Sequence, residues 1–82
     1  MKTEMMLLIQ TDGRPVLGIN DIAALLNISP RSVQNKIYRN EMPFPTFKMA
    51  DGGEWQAHIS DVAAYIDQQR ENARRTSEAL AA

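Results

Sequence analysis

Cysteine is absent from this chain of 82 residues. Neither a disulfide framework nor a thiolate metal site is therefore available to it. Long hydrophobic runs are also missing. The apolar run at residues 5–9 is too short for the core of a signal peptide, and Glu4 precedes it. No segment approaches the roughly 20 apolar residues that span a bilayer, so no membrane partner is expected and a cytoplasmic home is compatible. Histidine is scarce. His58 has no second candidate ligand at a matching spacing, and its default reading is a polar strand residue. No pair of carboxylates is placed for acid–base work and no Ser/His/Asp set is evident, so no enzyme is expected. The Asp51-Gly52-Gly53 stretch lacks the lysine and the strand-to-helix setting of a phosphate loop and reads as a hairpin turn. No cofactor, metal or small-molecule ligand is implied.

An excess of positive charge is lacking too. The net charge of −1 argues weakly against nucleic acid, whose partners usually carry a basic footprint. The distribution softens the objection. Residues 29–49 hold Arg31, Lys36, Arg39 and Lys48 against Glu41 alone, a local balance of +3, which leaves −4 for the remainder. A local positive surface can attract phosphates while the rest keeps the domain soluble.

What is present is ordinary globular composition, 44% hydrophobic and 23% charged, without repeats or low-complexity blocks. A chain of this length buries about 60% of its unfolded surface, enough for one modest core. The expectation is a single domain over residues 1–75, with its core in residues 15–70, and a flexible tail at residues 76–82.

Residues 20–42 are the most informative stretch. Asn20 or Asp21 can cap a helix whose Ile22, Leu25 and Leu26 form a buried stripe. Asn27 tolerates the left-handed conformation that ends a helix, and Ile28 plugs the turn. Ser29 caps a second helix with Pro30 at its first position, where a missing N–H costs nothing. Val33 and Ile37 point inward from it. Arg31, Asn35 and Arg39 lie at four-residue steps on the opposite face, flanked by Ser32 and Tyr38. Two short helices and a tight turn are the layout of a helix-turn-helix, whose second helix enters the DNA major groove. In isolation the same charged stripe is more often a solvated face.

The flanking segments extend the pattern. Residues 5–9 read as a short helix from Thr3 to near Gly13, or alternatively as a strand turning at Asp12-Gly13. Residues 15–19 read as an extended piece available to the sheet. Pro43 and Pro45 end the second motif helix. Residues 46–49 and 55–59 alternate like two strands of a hairpin, with Trp55, Ala57 and Ile59 on one face. Trp55 is expected to pack beneath this hairpin. Ser60 caps a last helix with a stripe of Val62, Tyr65 and Ile66, which turns polar after Asp67 and projects. The fold class expected is mainly α with a small β-hairpin, a winged helix-turn-helix. The hairpin is the wing, fixing register on the phosphate backbone while the helix reads bases.

From Ile19 to Arg70 the chain resembles winged-helix regulators of the MerR-like group that includes AlpA-type activators and phage excisionases. The likeness rests on "GINDIAALLNISPRSVQNKI", "MPFP", the "EW" on the wing and "ISDVAAYIDQQR". With "LLIQTDGRPVLGI" added, the fuller similarity is to the pyocin activator protein family. The resemblance implies sequence-specific binding of double-stranded DNA without catalysis. Relatives often place a basic residue beside the wing tryptophan, where this chain has Glu54 and Gln56. That leaves Lys48 as the main wing cation.

The expected DNA-binding residues are Arg31, Ser32, Gln34, Asn35, Lys36, Tyr38, Arg39 and Lys48. Arginine pairs bidentately with guanine and asparagine with adenine, so Arg31 and Asn35 suit base edges. Gln34 and Lys36 suit phosphates at the flanks. Tyr38 divides between partial burial and backbone contact. The function expected is a transcriptional regulator, an activator of prophage or tailocin-type genes. The alternatives are an excisionase, which binds DNA architecturally, and a protein-interaction module such as an antirepressor. A short site per domain makes a homo-oligomer or tandem copies the expected route to tight binding.

Overall fold

A computed structural model of the chain describes residues 2–81. Seven elements follow in order. They are α1 (Lys2–Gln10), β1 (Val16–Gly18), α2 (Ile19–Leu26), α3 (Pro30–Tyr38), β2 (Phe47–Lys48), β3 (Trp55–His58) and α4 (Ile59–Ala81). The architecture is mainly helical with a small antiparallel sheet of order β1-β3-β2. It is compatible with a winged helix-turn-helix. Residues 5–9 are helical, which decides between the two readings of that segment. Residues 15–19 do supply a strand: Leu17 of β1 is opposite Ala57 of β3, and both are buried.

Three helices stop by one device. Asp12, Asn27 and Asn40 each take positive φ, at 56°, 59° and 56°. The next residue's N–H then reaches back to a carbonyl of the last turn. Gly13 donates to Leu8 at 2.8 Å, Ile28 to Ala23 at 3.0 Å and Glu41 to Lys36 at 2.8 Å. This is the Schellman arrangement, and short polar side chains tolerate the left-handed backbone it needs. Pro43 and Pro45 therefore do not end α3, as their position suggested; Asn40 already has.

Helix starts differ more from expectation. Ser29 caps α3 as expected, its Oγ accepting the Ser32 N–H at 3.1 Å, with Pro30 in the first turn. Helix α2 begins at Ile19, one residue before Asn20, because Gly18 leaves the strand directly into the helix. Asp21 supports this start from inside the first turn, its Oδ2 accepting the Gly18 N–H at 3.4 Å. Helix α4 begins at Ile59, whose N–H donates to the Pro15 carbonyl at 2.9 Å. His58 Nδ1 accepts the Ser60 N–H at 3.1 Å. His58, not Ser60, is thus the cap, and the Ser60 hydroxyl donates to Glu4 on α1 instead.

The core gathers one to three side chains from every element except β2. Ile22 from α2, Val33 from α3 and Val62 from α4 are almost wholly enclosed. Each such aliphatic side chain contributes about 1.5–3 kcal/mol by leaving water. Tyr65 and Ile66 pack against this core half-buried, with Phe44 edge-on to Tyr65 at 5.6 Å between ring centres. Helix α1 lies along α4 with Leu7 buried, and Thr3 donates to Asp67 at 2.6 Å. Past Asp67, α4 continues with every side chain from Gln68 to Leu80 exposed. Of the tail expected at residues 76–82, residues 76–81 carry helical backbone continuous with α4, and Ala82 lies outside the described residues. Exposed pairs of Glu71 with Arg74 and Arg75, at 3.9 and 3.5 Å, run along one side of it. Each adds a few tenths of a kcal/mol at most.

Candidate nucleic-acid interface

The first motif helix, the second, and the wing surround one open cleft of about 410 Å³. Helix α3 lines it with Pro30, Arg31, Gln34 and Tyr38. The wing lines it with Lys48, Gly53, Glu54 and Trp55, and α2 with Ile19 and Asn20. On α3 the spacing i, i+3, i+7 puts Arg31, Gln34 and Tyr38 in one row. Val33 and Ile37, on the other side, hold the helix to the core and so aim that row outward. Tyr38 is 74% exposed, which removes partial burial as its reading.

On the wing, Lys48 is the cross-strand partner of Trp55, so the two side chains share a face. The Lys48 ammonium is 5.1 Å from the centre of the Trp55 ring. A cation over an indole face is attracted by the ring quadrupole. Trp55 itself is half-buried and outside the enclosed core, although its strand neighbour Ala57 is fully covered. The expectation that it packs beneath the wing is therefore met only for part of the ring. Its Nε1–H is enclosed and has no acceptor among the described residues.

Of the eight residues singled out from the sequence, Arg31, Gln34, Tyr38 and Lys48 line the cleft together. Asn35 and Arg39 are exposed on α3 and at its end, beside the cleft rather than in it. Ser32 is half-buried, with its Oγ 2.9 Å from that of Ser29, so it belongs to the helix cap. Lys36 is half-buried and outside the cleft. Sequence reasoning missed Asn20 and Glu54 as cleft residues. In the sequence Asn20 carries the signature of a helix cap, and Glu54 stands out only as a departure from relatives. Glu54 places one negative charge in a cleft that otherwise offers Arg31 and Lys48.

The cleft is open, and its charged groups converge from two elements joined through the core. Nothing in it pairs a nucleophile with a base. Among the described residues no cluster of His, Cys, Asp or Glu could hold a metal ion. Nor, among the described residues, is any helix long and apolar enough to cross a membrane. A family model described as "Pyocin activator protein PrtN" matches residues 5–73. The chain belongs to the pyocin activator protein family. The match runs from within α1 to beyond the middle of α4, so it includes every residue of the cleft. This pyocin activator family is regulatory rather than catalytic. No curated protein and no solved structure matches the chain.

Proposed function

We propose that this pyocin activator family member binds double-stranded DNA sequence-specifically and activates prophage or tailocin-type genes. The observation that carries the reading is the cleft in which Arg31, Gln34 and Tyr38 of α3 meet Lys48 and Trp55 of the wing. Helix α3 enters the major groove. Arg31 and Gln34 reach base edges from its first two turns, with Asn35 beside them. Tyr38 and Arg39, further along, contact the backbone, and Lys36 adds charge nearby. Ser32 acts through the cap that fixes the helix start. Lys48, steadied over Trp55, meets a phosphate of the adjacent strand and sets the register. The local balance of +3 in residues 29–49 supplies attraction that the whole chain lacks.

An excisionase would use the same surface, and bending of the bound DNA would distinguish it. Glu54 in the cleft favours one further reading, a protein-interaction module that receives a basic partner. Fluorescence anisotropy with upstream DNA of tailocin-type genes, titrated over salt, decides among them. Specific binding with a steep negative salt slope is expected. Absence of any binding at low salt, together with a stable protein complex, would replace the DNA reading by the module.

A further inference from the structure

Helix α1 is apolar on two opposite sides, and only one of them is covered. Leu7 is buried, while Thr3 and Glu4 bond to α4. On the other side Met5, Met6 and Ile9 are 65%, 63% and 74% exposed, with Leu8 at 38%. A helix that is apolar all round is normally buried all round. These side chains present on the order of 400 Å² of contiguous apolar surface, the size of patch that marks interaction sites. Helix α1 contributes nothing to the cleft. Lys2 is its single cation, too little to hold a phosphate backbone.

We infer that this face receives the same face of a second copy, forming a dimer through antiparallel α1 helices across a two-fold axis. Such an interface is self-complementary. With the axis level with Leu7, Met5 packs on the partner's Ile9, while Met6 and Leu8 flank this seam on its two sides, each beside its own symmetry copy. The same register brings Lys2 level with the partner's Asp12, twice over. Lys2 and Asp12 are both exposed, and neither has an ion-pair partner among the described residues. Charge and apolar pattern thus agree on one register. Two patches with their polar rims bury on the order of 1,000 Å², the lower bound for a stable interface. The dimer is accordingly reversible and concentration-dependent. It leaves both clefts free, and it does not depend on what the clefts bind.

Sedimentation velocity on the full chain without DNA tests this directly. A monomer–dimer equilibrium is expected. Ile9→Lys and, separately, Met5→Lys should raise its dissociation constant about tenfold or more while leaving unchanged the melting temperature of the monomer, read at concentrations too low for the dimer, since both side chains are exposed there. Lys2→Glu should weaken the dimer and Lys2→Glu with Asp12→Lys should restore it, which tests the register by rescue. A monomer at every concentration up to about 1 mM overturns the inference. So does a dimer that is indifferent to Ile9→Lys and Met5→Lys. A strictly monomeric protein whose regulatory activity falls in Met5→Lys would assign the face to a different polypeptide, and would overturn it equally.

Discussion

Lys48 and Trp55 form a cross-strand pair in which the ammonium is 5.1 Å from the ring centre. The lysine is thereby held on the cleft side of the wing, where a long flexible side chain would otherwise wander. Trp55→Ala should lower stability by about 1–3 kcal/mol, less than a fully enclosed tryptophan would cost. It should also weaken DNA binding by about as much as Lys48→Ala does. Trp55→Phe, which keeps a ring face, should retain most of the binding. Thermal melts and anisotropy on the same samples check both effects. Binding unchanged in Trp55→Ala would mean that Lys48 needs no ring beneath it.

Arg31 and Lys48 belong to one cleft but carry different expected roles. Arg31→Ala should cost about 1–3 kcal/mol on the specific site and relax preference at one base position. Lys48→Ala should weaken specific and random DNA alike and lower the salt slope by about 1. Competition binding with single-base variants of the site separates the two. Equal losses on both DNAs for Arg31→Ala would make it a phosphate contact.

Asn27 ends α2 with φ at 59°, which lets Ile28 donate back to Ala23. Asn27→Gly should be neutral or mildly stabilising in the folded backbone. Asn27→Val should destabilise by about 1–2 kcal/mol, the cost of forcing a left-handed conformation on a branched residue. Urea denaturation of the two variants gives the comparison. Equal midpoints would show that the turn between α2 and α3 relaxes into another geometry.

Removal of residues 72–82 deletes a stretch in which every side chain from Asn72 to Leu80 is exposed. The shortened chain should melt within a few degrees of the full one, since no core contact is lost. It should also dimerise as before, because α1 is untouched. A large fall in melting temperature would mean that the exposed helix supports the domain in a way its contacts do not reveal.

Local causes were legible in the sequence, and relative orientations were not. Ser29-Pro30 marks a helix start and Asn27 a helix end because each acts on the backbone within a few residues of itself. The inward stripe of Val33 and Ile37 was equally readable from its spacing. Which outward residues of α3 meet the wing depends on how the helix is rotated against the sheet. That rotation comes from packing between distant segments, and it favoured the row of Arg31, Gln34 and Tyr38 over that of Arg31, Asn35 and Arg39. The cap of α4 moved from Ser60 to His58 for a similar reason. The Pro15 carbonyl, from 44 residues earlier in the chain, takes the Ile59 N–H and starts the helix sooner. The half-covered state of Trp55 also follows from neighbours that its own strand does not name.

Gly18 is followed at once by α2, and His58 at once by α4, with no residue between strand and helix. Both junctions leave from the paired strands β1 and β3. A hinge needs a few free backbone torsions, and neither junction has any to spare. The α1–α4 layer and the α2–α3 layer are therefore joined through the sheet without a hinge at either junction. In a two-fold pair that binds DNA as proposed, the distance between the two α3 helices would be a property of the protein rather than an adjustment made on contact. Discrimination would then extend beyond the bases touched to the number of base pairs that separate two half-sites, a quantity no side chain reads.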